Sequence, residues 1–122
     1  MEFIKLANKL FEARQITHIF HLQTKDESTH RALDFFYNEL LEKADLIIEV
    51  YQGQCGILEG YELITDEVKE KEPLAYLESF VKLISTEGKK AIKVEDTHLL
   101  NILDEIVALT YKTIYKIKIL NQ

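Results

Sequence analysis

Residues 17–53 read THIFHLQTKDESTHRALDFFYNELLEKADLIIEVYQG, and this stretch decides the fold. Beyond Ser28 and Thr29, apolar residues recur three and four apart: Leu33, Phe36, Tyr37, Leu40, Leu41, Ala44, Ile47, Ile48 and Tyr51. That step places them on one helix face, so it predicts a helix from a Ser28 or Thr29 cap to about Gln52. Asp26 and Glu27 stand just before it, where the helix dipole favours negative charge. Gly53 and Gly56 supply the stop. Upstream, Phe3, Leu6, Ala7, Leu10, Phe11, Thr17, Phe20 and His21 repeat at the same step, which predicts a first helix over residues 2–24.

Working outward, Pro73 suits the first turn of a third helix, Pro73–Ser85, with Leu74, Leu77, Phe80, Val81 and Ile84 on its apolar face. A fourth helix is expected over residues 96–120, through Leu99, Leu100, Leu103, Ile106, Val107, Thr110, Ile114 and Ile117. Residues 53–72 are irregular. A short helix near Thr65–Lys71, capped at Thr65-Asp66, and brief extended pieces at Ile57–Ile64 and Lys90–Val94 carry the weakest signals. One Pro and four Gly in 122 residues fit a mainly helical chain. The expected fold class is all-α: a four-helix bundle in one domain, residues 1–122, with a medium-length irregular connection between helices two and three.

Composition narrows the functions. Apolar residues make up 47% and charged residues 30%, which is globular rather than disordered. The formal net charge of −6 repels phosphate backbones, so nucleic-acid binding is disfavoured and cation attraction is favoured. Lys89, Lys90, Lys93, Lys112, Lys116 and Lys118 form a small basic group that reads as a solvated helix flank. A single cysteine, Cys55, excludes a disulfide framework within the chain and suits a reducing compartment. No apolar run approaches the roughly 18 residues that span a bilayer, and no secretory leader is legible. The expectation is a cytoplasmic protein.

One stripe of polar residues interrupts the apolar pattern. From His30, the helical rotation is about 40° to Asp34, about 60° to Asp45 and about 100° to Glu49. Bare carboxylates on a face turned to the core or to a partner helix are costly, so such a stripe calls for a cation or for mutual pairing. His30 and Asp34 form one i,i+4 pair, and Asp45 and Glu49 form another. At 1.5 Å rise per residue, the midpoints of the two pairs lie about 22 Å apart. Ligands of one ion must lie within about 4.5 Å of each other, so the pairs cannot share an ion within one helix. An antiparallel copy of the helix, related by a two-fold axis near Glu39–Leu40, would set each pair opposite the other and form two equivalent sites. His18 on the first helix could complete each site. The mixed nitrogen and oxygen donors suit Fe(II), Mn(II) or Zn(II).

The five residues His18, His30, Asp34, Asp45 and Glu49 resemble the pattern of the Dps mini-ferritins, a branch of the ferritin-like superfamily. In that family a His on the first helix is followed twelve residues later by a second His. Asp follows at four and fifteen residues beyond it, and Glu at nineteen, and every spacing is kept here. HLQT, HRALDFFY and EVYQG also look like small Dps-like proteins of phage and bacterial genomes. The resemblance implies a ferritin-like bundle with a metal centre across a homodimer two-fold, extendable to a larger homo-oligomer. It implies iron as the metal and oxidation of Fe(II) by peroxide or oxygen, a ferroxidase activity, as the reaction. The chain departs from the family at three places. Ile19 stands where Trp usually follows the first His, Lys25-Asp26-Glu27-Ser28 replaces the Lys-Gly-Pro-x-Phe link, and Val50 replaces an Arg. No Lys-rich tail is legible, so the resemblance bears on the metal centre rather than on DNA binding or a storage shell.

Other side chains read more plainly. His21, one turn from His18, is either an extra ligand or a half-buried histidine bonded to a carboxylate. His98, near a helix start, should face water. Phe35, Phe36 and Tyr37 read as core, Tyr111 and Tyr115 as part of the last helix's apolar face, and Cys55 as a small apolar filler. No P-loop, GxGxxG, CxxC or nucleophile elbow occurs in the chain. The competing function is a non-catalytic helical interaction module, of phage origin, that keeps the dimer without metal chemistry.

Overall fold

A computed structural model describes residues 1–64 and 68–120. Among these, four α-helices pack together: α1 Phe3–Gln23, α2 Glu27–Cys55, α3 Pro73–Leu83 and α4 Thr97–Lys118. A π-helical turn, Ile84–Gly88, continues α3. The fold is all-helical, as the apolar spacing requires.

The apolar spacing sets each helix, and local contacts set where α2 starts and stops. Asp26 caps α2, its carboxylate accepting from the Thr29 N–H at 2.9 Å, the Thr29 hydroxyl at 2.6 Å and the Ser28 hydroxyl at 3.0 Å. The cap is therefore two to three residues earlier than Ser28 or Thr29. The helix also outruns Gly53: the chain leaves it at Gly56, whose φ of 95° only glycine adopts without strain. Gly53 stays helical because Tyr51 still has a core partner, stacking on Phe3 with centroids 3.8 Å apart.

Helix directions follow from the contacts at their ends. The Phe3–Tyr51 stack joins the start of α1 to the end of α2, and the His21–His30 stack joins the opposite ends. Gln54, near the end of α2, bonds Asp96 and His98 at the start of α4. Lys112 and Lys116 of α4 lie over the Phe35 ring near the start of α2. α4 is thus antiparallel to α2. α3 begins with Tyr76 against Phe20 near the end of α1 and runs to Gly88 beside Leu6 near its start. An added Cβ at Gly88 would touch Leu6 and Ile84 at 3.4 Å, so the chain passes close to α1 here. Consequently α2 and α3 run in the same direction, and Phe36 and Phe80 meet between them.

Two parallel helices joined in sequence require a connection that returns the length of the bundle. Residues 56–64 start this return along α1. Asn8 donates to the Gly60 carbonyl and accepts from the Glu62 N–H, both at 3.1 Å, and Tyr61 rests against Phe11. No strand forms at Ile57–Ile64 or Lys90–Val94: the first stretch is held by side chains of α1, and the second is a turn. Of the short helix near Thr65–Lys71, the cap Thr65-Asp66 lies outside the described residues, and Val68–Lys71 are not helical.

The core draws on all four helices, with Leu6, Leu10, Leu33, Phe36, Leu40, Ile47, Leu77, Leu103 and Ile106 nearly or wholly out of solvent. Each such side chain contributes about 1.5–3 kcal/mol by leaving water. The buried hydroxyls of Thr17, Thr110 and Thr113 bond carbonyls one turn back on their own helices. Among the described residues no helix is long and apolar enough to cross a membrane.

Candidate metal centre

The end of α1 and the start of α2 are locked by two histidines. The rings of His21 and His30 stack with centroids 3.7 Å apart and planes 19° apart. Nδ1 of His21 lies 2.7 Å from the His30 carbonyl, and Nδ1 of His30 lies 2.7 Å from the His21 carbonyl. A carbonyl only accepts, so both Nδ1 atoms carry protons. In each neutral ring the lone pair then sits on Nε2, the atom a metal would use. The His21 carbonyl belongs to the last turn of α1, where helical partners run out, so His30 also satisfies an orphan acceptor there.

Around this clasp lie His18, Asp34, Tyr37 and Arg14. His18, half-buried on α1, stacks on the Tyr37 ring with centroids 4.2 Å apart. The Tyr37 hydroxyl donates to Asp34 Oδ1 at 2.8 Å. Burial, then the Asp34 carboxylate that takes this bond, holds the Tyr37 phenol above its usual range. Arg14 approaches the Tyr37 ring to 5.6 Å. Asp34 itself is exposed, and its Oδ1 lies 4.0 Å from Nε2 of His21. Three of the five ligand candidates, His18, His30 and Asp34, thus share one cluster.

Asp45 and Glu49 do not join it. They lie on α2 eleven and fifteen residues past Asp34, so Asp45 is about 16 Å further along the axis. Both are exposed, and neither makes a hydrogen bond or ion pair among the described residues. Within one chain, no group of three or more His, Cys, Asp or Glu side chains among the described residues can hold a metal ion. The carboxylates of the stripe face outward rather than into the core. The apolar face of α2 is centred roughly opposite them, so the core alternative for the stripe is corrected.

Several single-residue expectations also change. Phe35 lies at the surface beneath two lysines rather than in the core. Tyr111 and Tyr115 are exposed, because the buried face of α4 runs through Leu103, Ile106, Thr110, Thr113 and Ile114 instead. Cys55 is an exposed free thiol, not a filler, because α2 ends beyond the core. His98 faces water as expected but also bonds Gln54 at 2.7 Å. Three of the six lysines of the basic group are paired: Lys89 with Asp104, Lys90 with Glu87 and Lys118 with Glu78. His21 is the residue that sequence reasoning placed least well. Its bond goes to a backbone carbonyl on another helix, which spacing along one helix cannot reveal.

The chain belongs to the family of unknown function DUF5856, whose model matches residues 21–117. The match includes His21, His30, Asp34, Asp45 and Glu49 and begins after His18. No curated protein and no solved structure matches the chain.

Proposed function

We propose that this DUF5856 chain is a Dps-like, ferritin-like protein that binds iron between two copies of itself and oxidises Fe(II). The observation that carries this reading is the contrast along α2. His18, His30 and Asp34 gather at one end, while Asp45 and Glu49 stand bare at the other, on nearly the same side of the helix (about 20° of rotation separates Asp34 from Asp45). An antiparallel second copy would bring each group opposite the other.

The donor set fits the ion. The bond to the His21 carbonyl leaves the Nε2 lone pair of His30 free, and the three outward carboxylates supply the charge a divalent cation needs. Asp45 and Glu49 would be the anionic anchors. His18, His30 and Asp34 of the other chain would close the sphere, leaving one position for peroxide or oxygen. Mn(II) and Zn(II) fit the same donors. The single long crossover along α1, with α2 and α3 parallel, supports the ferritin-like assignment. The working form is a homodimer in the cytoplasm, with larger homo-oligomers open to it.

Metal analysis of protein purified without chelator tests the reading. About one ion per chain, lost in Asp45→Ala, is expected, with a stability gain of about 2–3 kcal/mol when free metal exceeds Kd a hundredfold. Metal-free protein whose unfolding midpoint ignores Fe(II) under anaerobic conditions would leave the non-catalytic interaction module as the function.

A further inference from the structure

We infer that His21 is an additional metal ligand, donating through Nε2 beside Asp34. The inference rests on metal binding at this site and adds a sixth residue to the five that spacing selects. His21 is buried, and its Nδ1–H is committed to the His30 carbonyl at 2.7 Å. Its Nε2 makes no hydrogen bond among the described residues. Asp34 Oδ1 lies 4.0 Å from it. Two donors with bonds of about 2.0–2.2 Å to one ion lie at most about 4.4 Å apart, so this gap is one that an ion can bridge.

The surroundings have the features of a prepared ligand. Metal-bound histidines ordinarily donate the remote ring N–H to a carbonyl or carboxylate, which fixes the tautomer and ring direction. His21 already has that bond without a metal. Asp34 is likewise held, since the Tyr37 hydroxyl binds the same Oδ1 at 2.8 Å. Tyr37 also packs edge-on against His21, with centroids 5.4 Å apart. The two donors are therefore oriented before any ion arrives, which lowers the entropy lost on binding.

A merely structural clasp needs only Nδ1 of His21, whereas a ligand needs Nε2. Asparagine separates the two, because its side-chain N–H stands where Nδ1 stands and nothing replaces Nε2. The test titrates Co(II) into metal-free wild type, His21→Asn and Asp45→Ala, following visible absorbance and heat. The expected result is a folded His21→Asn protein that binds Co(II) at least about tenfold more weakly, with an altered absorption band. Equal affinity and an unchanged band in His21→Asn overturn the inference. If Asp45→Ala also loses binding in that case, the dimer-site reading survives without His21. Loss in His21→Asn but not in Asp45→Ala keeps His21 as a ligand and removes the shared site. No binding by wild type overturns both. Should His21→Asn not fold, imidazole 15N spectra of wild type decide: added Zn(II) should shift Nε2 of His21 and leave Nδ1 protonated, and an unmoved Nε2 contradicts the inference.

Discussion

The two ends of α2 treat their polar side chains in opposite ways. At the first end, His30, Asp34 and Tyr37 are bonded to one another's neighbourhood, to His21 and to the backbone of α1. At the other, Asp45 and Glu49 extend into solvent with no partner among the described residues. Both ends sit on one continuous apolar face, so packing does not distinguish them. The difference separates side chains whose partners lie within the chain from side chains that await something outside it. Stability should therefore depend on the first group and metal binding on both.

Substitutions in metal-free protein, read by denaturant midpoints, put that division to work. His30→Ala should cost most, about 1–3 kcal/mol, because it removes the ring stacked on His21 and leaves the His21 carbonyl without the bond from His30 Nδ1–H. Asp26→Ala, which removes the cap of α2 at the same end, should cost about 1 kcal/mol. Tyr37→Phe should cost about 0.5–1.5 kcal/mol through the lost bond to Asp34. That variant also has a pH signature. A phenol held above its usual range contributes stability that is present below about pH 10 and lost as pH rises through the folded value. Wild type should thus weaken above about pH 10 more steeply than Tyr37→Phe. Asp45→Ala and Glu49→Ala should change stability least, within about 0.5 kcal/mol. A loss of several kcal/mol there would mean that the carboxylates already have partners.

The sequence made some of this legible and not the rest, for reasons that differ by element. The helices of residues 17–53 were readable because Leu33, Phe36, Leu40, Ala44 and Ile47 repeat at a step only a helix turns into a face. The end of α2 was misplaced by three residues because Gly53 is tolerated in a helix when Tyr51 still packs on Phe3. The π-helical turn at Ile84–Gly88 lies where the chain passes beside Leu6 of α1, and the apolar spacing carries no signal for it. The stripe itself was readable from rotation alone, but its outward direction depended on where the other helices pack. His21 shows the same limit: a bond from its ring Nδ1–H to a backbone carbonyl nine residues on is set by how α1 and α2 cross, not by periodicity.

The central claim is that one metal centre is built from opposite ends of α2 in two chains. Mixing tests it directly. His30→Ala/Asp34→Ala and Asp45→Ala/Glu49→Ala each destroy both sites of their own dimer, but a dimer with one chain of each keeps one intact site. After unfolding and refolding together, an equal mixture should recover about a quarter of the wild-type metal per chain, as random pairing of a two-fold dimer requires. Metal content that stays at the level of the separate variants would contradict a shared centre.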